Sequence, residues 1–304
     1  VMKFLRIKFS WKLLECLLFV LSLFTSGQIV YADQKFIISA IPDQNPEKLN
    51  RLYSILADEL SEKLEVKVVY KPVINYQAAV SAFRTGSLDL VWFGGLTGVQ
   101  ARLQKPGAVV LAQRDIDANF QSVFIANKNS NLSKISNIKG LRKLKGYRFT
   151  FGSESSTSGR LMPQYYLSKA NVKLSDFKGG KPGFSGSHDA TIALVKSGSY
   201  EVGVLNDQVW MDRLKTGEVN LVNVYPIWRT PSYVDYHWLA QPDLDSRFRE
   251  DFTKDLQEFF LSLDKTNPGQ RQILNLFDAD SFIRAFEDQY KKIEQVGRIL
   301  SKIR

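Results

Sequence analysis

The stretch KFIISAIPDQNPEKLNRLYSILADELSEKLEVKVVY, residues 35–70, decides the fold. It opens on KFIISAI, an isoleucine-rich apolar run that suits a buried strand. Asn45 then offers a side-chain cap, Pro46 takes the first helical position, and Leu49, Leu52, Tyr53, Leu56, Leu60 and Leu64 recur at helical spacing. VKVVY, residues 66–70, returns to strand. Beyond it Tyr76, Ala79, Val80 and Phe83 form a second helical face that stops at Gly86, and LDLVWF, 88–93, is a third strand. The unit reads β-α-β-α-β, a parallel sheet covered by helices.

The alternation restarts after QSVFIANK, 121–128. Strand RFTF (148–151), a helix from Gly159, a helix from Ser187 to Lys196 closed by Gly198, strand EVGVL (201–205), a helix near Asp207 to Leu214 and strand VNLVNVY (219–225) follow. From Asp245 onward the pattern is nearly all helical, with Phe248, Phe252, Leu256, Phe259 and Phe260 on one face. Two parallel-sheet α/β units with a helical tail are expected. Such sheets bind ligands beyond the carboxyl ends of their strands, and two units invite a cleft between them.

Residues 1–32 read as a secretory signal peptide. Lys3, Arg6, Lys8 and Lys12 precede an apolar run from Leu13 to Phe24, and IVYADQ supplies small or short residues for cleavage after Ala32. Glu15 interrupts the run, which is too short for a comfortable span. The one cysteine, Cys16, lies inside it, so the exported chain has no thiol for disulfides, catalysis or metal ligation. Without the four cations and Glu15 of that segment, 37 basic and 30 acidic residues remain, a net charge of +7. The surplus suits an anionic partner. The basic residues are dispersed, and KGLRKLKGYR (139–148) is too short to grip a nucleic acid backbone, so the charge steers small anions instead.

Three helix entrances carry the chemistry: FGGLTG (93–98), SESSTSG (153–159) and FSGSHDA (184–190). Each combines glycine with hydroxyls at a helix mouth, where unpaired N–H groups and a partial positive charge favour an anion. Pro163 requires regular helix to begin near Leu161, leaving the amides from Ser156 to Gly159 free to face a ligand. Ordinary N-capping accounts for any one of these entrances, but four consecutive hydroxyl residues, Ser155 to Ser158, exceed what a cap needs.

Enzymatic readings are constrained by having only His188 and His237, neither in a metal-protease helix or a nucleophile elbow. SNIK (136–139) and SDFK (175–178) match S-x-x-K and read as surface turns. His188 is either a structural histidine or a donor in the first turn after Ser187. In RTPSYVDYHW (229–238), Tyr233, Tyr236, Trp238 and Asp235 form either a pocket wall or a buried aromatic corner. A serine hydrolase would need His188 beside Ser156 or Ser158.

The wording NYQAAVSAFRTGSLDLVWFGGLTGVQAR (75–102), FTFGSESSTSGRLMPQYYL (149–167) and FSGSHDATIALVKSG (184–198) closely resembles the substrate-binding proteins of phosphonate and phosphite ABC importers, in order from about residue 35 to 262. A subgroup with the GGLTGVQAR wording is often labelled selenate-binding. The resemblance implies a two-lobed periplasmic binding fold, type II-like, with residues 33–120 plus 235–304 as one lobe and 121–234 as the other. Each lobe would be a mostly parallel sheet flanked by helices, with a helical C-terminal tail and the ligand in the cleft. It implies that Ser156, Thr157, Ser158, His188 and Tyr76 hold an oxyanion. A second family tyrosine is replaced by Phe93, which removes a hydroxyl donor. Asp235 aligns with an acidic residue that meets a ligand amine, Tyr236 lies beside it, and Asp207 falls in the neighbourhood of another. The expected protein is a monomeric periplasmic carrier without cofactor or metal, delivering a small tetrahedral oxyanion to an inner-membrane permease. A selenate carrier and a ligand sensor are the alternatives.

Overall fold

The computed structural model describes residues 34–303, so the expected signal peptide and Cys16 lie outside the described residues. Among the described residues the strands are β1 (Phe36–Ala40), β2 (Val68–Tyr70), β3 (Leu90–Phe93), β4 (Val109–Val110), β5 (Ala112–Arg114), β6 (Ser122–Asn127), β7 (Phe149–Phe151), β8 (Gly183–Phe184), β9 (Val202–Asn206), β10 (Val224–Arg229), β11 (His237–Ala240) and β12 (Phe282–Arg284). One five-stranded sheet has the order β2-β1-β3-β11-β4 and a second the order β10-β6-β9-β7-β8, while β12 pairs with β5.

Local chemistry places the helices as expected. Asn45 Oδ1 accepts from the amides of Glu47 and Lys48, and the helix Pro46–Leu64 buries Leu49, Leu52, Tyr53, Leu56, Leu60 and Leu64. Asn75 caps the helix Tyr76–Arg84 through the Ala78 amide. The chain then turns at Gly86, whose φ of 75° is costly for a residue with a Cβ.

Both sheets are mixed. β1 runs parallel to β2 and β3, and β7 parallel to β8 and β9, as the βαβ pattern requires. β11 is antiparallel to β3 and β4, and β6 antiparallel to β9 and β10. These two reversed strands follow segments 115–121 and 230–236, which carry the chain from one sheet to the other, so they arrive without the helix that a parallel return needs. The crossing segments pair with each other: Phe120 N donates to Tyr233 O at 2.8 Å and Tyr233 N to Phe120 O at 2.9 Å.

Two expected elements differ. The strand expected over 219–225 begins only at Val224, because Asn220 turns the chain, its Oδ1 accepting from Val222 N at 2.8 Å and its carbonyl from Asn223 N at 3.0 Å. The C-terminal region is not all helix. Asp251, at φ 59°, separates Leu244–Arg247 from Phe252–Leu261, and β12 interrupts the tail because its edge satisfies β5.

Phe36, Leu56, Phe83, Trp92, Trp238 and Phe260 belong to one large core, and the second sheet adds a smaller cluster on its other face with Val123, Ile125, Leu205 and Trp210. Among the described residues no helix is long and apolar enough to cross a membrane.

Candidate ligand site

The first two helix entrances meet each other. The helix Gly95–Gln104 starts at Gly94 with no side-chain cap of its own. Its first amides are taken from outside: Gly95 N donates to Asp235 Oδ1 at 2.8 Å, and Leu96 N to Thr157 Oγ1 at 3.0 Å. A Cβ on Gly94 would stand 3.2 Å from Thr157 Oγ1 and 3.4 Å from Asp235 Oδ1, so glycine is what lets these groups converge.

At the second entrance the backbone makes a π turn over Thr157–Leu161 before the helix Met162–Lys169. Ser156 Oγ accepts from Gly159 N at 2.9 Å, so that amide is capped and not free as expected. The amides of Thr157 and Ser158 remain ahead of any intrahelical acceptor. Ser156, Thr157 and Ser158 are buried, and Ser158 Oγ has no hydrogen-bond partner. Two more buried polar atoms share that condition here, Tyr76 Oη and Asp235 Oδ2. Burial pushes the Tyr76 hydroxyl well above its ordinary range, with Asp43 and Asp235 adding to it and the nearby Ser156 hydroxyl opposing. Burying a polar atom without a partner costs about 1–3 kcal/mol, so these three mark a candidate site for a group that can hydrogen-bond.

Asp235 is fully buried, and desolvation pushes its carboxyl up to about 7, while the Gly95 amide and Thr157 hydroxyl hold it partly down. Near neutral pH this carboxyl can therefore accept a hydrogen bond or, protonated, donate one.

His188 opens the third entrance, where Ser187 Oγ caps Ala190 N at 3.2 Å. Asn206 N donates to His188 Nδ1 at 3.4 Å, and His188 Nε2 lies 3.2 Å from Tyr236 Oη. Tyr236 Oη donates to Asp43 Oδ2 at 2.8 Å and accepts from Asn206 Nδ2 at 3.3 Å. Both ring nitrogens of His188 are thus engaged within the protein. Burial lowers the imidazole to about 4, so it is neutral, and Nδ1 acting as acceptor leaves the proton on Nε2. Asp43 is raised to about 6, chiefly by burial.

An open cleft of about 590 Å³ is lined by Tyr76, Gln77, Ser153, Ser155, Ser185 and Lys302. Gln77 Nε2 donates to Ser155 Oγ at 2.6 Å. Among the described residues no group of three or more His, Cys, Asp or Glu could hold a metal ion.

Residues 38–290 match the family described as ABC transporter, phosphonate, periplasmic substrate-binding protein. The chain belongs to that family. PhnD1 of Prochlorococcus marinus (strain MIT 9301), a probable ABC transporter phosphite binding protein, is 57% identical over 276 residues, spanning 90% of this chain and 93% of its own. The structure of PhnD1 in complex with methylphosphonate matches with a TM-score of 0.88 over 90% of this chain and 100% of that one. The phosphonates-binding periplasmic protein of Escherichia coli (strain K12) is 26% identical over 263 residues, 84% of this chain and 74% of its own.

Within this periplasmic binding protein, two of the residues expected at the site are occupied elsewhere. Phe93 is buried with its ring edge-on to Phe83 at 5.8 Å, a packing role. Asp207 is held by Arg229, whose Nε lies 2.9 Å from each of its carboxylate oxygens, because β9 and β10 are both antiparallel to β6 and so end at the same end of the second sheet. His237 packs on the Tyr290 ring at 4.1 Å and is lowered to about 3 by burial.

Sequence reading missed Asp43, Asn206 and Arg114. Arg114 is buried, pairs in bidentate fashion with Asp117 at 2.7 Å through Nε and NH2, and lies over the rings of Trp92 and Tyr236 at 5.5 and 5.2 Å. It fixes the crossing segment that carries Asp117 and, through Asp117 O accepting from Asp235 N at 3.1 Å, the backbone of Asp235.

Proposed function

We propose that this protein binds phosphite or a small alkylphosphonate such as methylphosphonate in the periplasm and delivers it, unchanged, to the permease of an ABC importer. The likeness to PhnD1 supports the ligand class. The observation that carries the reading is Asp235: one oxygen is held by the Gly95 amide, and the other is buried and unpartnered in company with the orphaned hydroxyls of Tyr76 and Ser158. A phosphorus oxyanion loses its second proton only near neutral pH, so its monoanion can share that proton with this carboxyl, whereas selenate and sulfate carry none.

Residues 33–120 with 235–304, and 121–234, then act as two lobes hinged at the paired crossing segments, with the oxyanion enclosed between them. Residues 1–32 serve as the cleaved export signal, and the carrier works as a monomer without cofactor or nucleic acid partner. Hydrolysis finds no support, since Ser156 Oγ accepts from Gly159 and His188 faces Tyr236 and Asn206 instead of a serine.

The test is a thermal-shift series on residues 33–304 with phosphite, methylphosphonate, 2-aminoethylphosphonate, phosphate, selenate and sulfate. A ligand at about 1,000 times its Kd should add about 4 kcal/mol of stability. A shift confined to phosphorus oxyanions is expected, and one as large with selenate or sulfate refutes the reading.

A further inference from the structure

A separate polar cluster ties the loop after β1 and the helix behind it to two helices of the second sheet. His188 N donates to Asp43 O at 2.9 Å, and two residues on, Asn45 N donates to Asp189 Oδ2 at 2.7 Å. Arg213 Nε donates to Asp189 Oδ1 at 2.9 Å, and its NH1 to Asp212 Oδ2 at 2.6 Å. Lys48 Nζ, one turn into the helix Pro46–Leu64, reaches the same Asp212 oxygen at 3.0 Å. Asp278 lies 3.7 Å from Lys48 and Glu218 lies 3.3 Å from Arg213.

We infer that Asn45, Lys48, Asp189, Asp212 and Arg213 form a clasp that holds the closed arrangement and sets how long the ligand stays, without touching it. This rests on the two-lobe carrier reading above. Isolated surface ion pairs contribute little, but these are linked: Arg213 bridges two carboxylates, Asp212 bridges two cations, and the Arg213 side chain is only 8% exposed. Asn45 also caps its own helix, so its amide is presented to Asp189 in a fixed direction. Two of these contacts, Asn45 with Asp189 and Lys48 with Asp212, join residues 45–48 to residues 189–212, segments that separate when the lobes part, and Arg213 braces both carboxylates. They therefore oppose opening and release, and have no part in first encounter.

The experiment is stopped-flow dissociation and association of methylphosphonate on the wild type, Lys48→Met and Asp189→Asn. Both variants should release ligand about tenfold faster with an unchanged association rate and an unchanged preference between phosphite and methylphosphonate. Raising salt from about 0.05 to about 0.5 M should speed release from the wild type and not from Lys48→Met. Unchanged release rates, or an altered preference, overturn the clasp. Should Asp189→Asn not fold, Lys48→Met and the salt series decide alone. Should the wild type bind neither anion, the carrier reading fails, and hydrogen exchange then judges the clasp: the Asn45 amide should exchange faster in Lys48→Met and Asp189→Asn, and equal exchange overturns it.

Discussion

Asp235 and Gly95 stand in a one-sided relationship: the Gly95 amide donates to Oδ1 of Asp235 at 2.8 Å, while Oδ2 of the same buried carboxyl meets no partner. A carboxyl wanted only as a helix cap would be cheaper at the surface, where water satisfies its second oxygen. The unshared oxygen is what makes Asp235 a ligand group in this account, and its raised pKa has consequences for both binding and stability.

Stability should depend on pH through Asp235. Its carboxyl is pushed up to about 7 from 3.8, and that of Asp43 to about 6. The folded state therefore holds protons that the unfolded chain releases. The stabilisation from these acids is complete below about pH 4 and is lost as pH rises through 6 to 7. His188 and His237, lowered from 6.5 to about 4 and about 3, act the other way: their contribution is present above 6.5 and lost as pH falls towards 4 and below. Asp235→Asn removes one acid, so its stability relative to wild type should be higher at pH 8 than at pH 5 by up to a few kcal/mol, at about 1.4 kcal/mol per pKa unit. Urea melts at the two pH values measure this, and an equal difference at both contradicts a raised carboxyl.

Ser158→Ala and Thr157→Val should separate binding from folding. Ser158 Oγ has no partner in the protein, so removing it should leave the ligand-free melting temperature unchanged or slightly raised while affinity falls about tenfold or more. Thr157 Oγ1 accepts from Leu96 N, so the valine variant should lose affinity and also about 1 kcal/mol of stability. Calorimetry with methylphosphonate beside ligand-free melts provides the comparison.

Two glycines of one helix should behave differently. At Gly98 a Cβ would collide with the His237 ring, whose position is fixed by Tyr290, so Gly98→Ala should destabilise the ligand-free protein by several kcal/mol. At Gly94 the Cβ would only crowd Thr157 and Asp235, so Gly94→Ala should fold well and bind poorly. Thermal melts and titrations of both variants distinguish the two outcomes.

Arg114→Met should cost about 3–5 kcal/mol, since it leaves the buried Asp117 carboxylate unpaired. The double variant with Asp117→Leu should recover part of that loss, which chemical denaturation can measure.

Much of this architecture was legible because its causes are local. The cap Asn45, Pro46 and the leucine spacing lie within a few residues of what they specify, and the helix begins where these residues place it. β4, β5, β12 and the reversal of β6 and β11 depend on partners far along the chain, so no short pattern announces them. The site divides in the same way. The hydroxyl run 155–158 declares itself by exceeding what a cap requires. Asp43 carried a usable signal, sitting just past the carboxyl end of β1 where α/β sheets meet ligands. Asp207 looked equally suitable at its helix start, but Arg229, distant in sequence, had already claimed it. Arg114 read as one of many dispersed basic residues, and only the tertiary fold shows it buried among aromatic rings.

The most direct test is a competition between methylphosphonate and selenate for the purified carrier at pH 7 and pH 8. The account predicts that methylphosphonate binds at least about 100-fold more tightly, and that selenate loses further affinity at pH 8 as Asp235 gives up its proton. Selenate binding as tightly as methylphosphonate, with no dependence on pH, would contradict it.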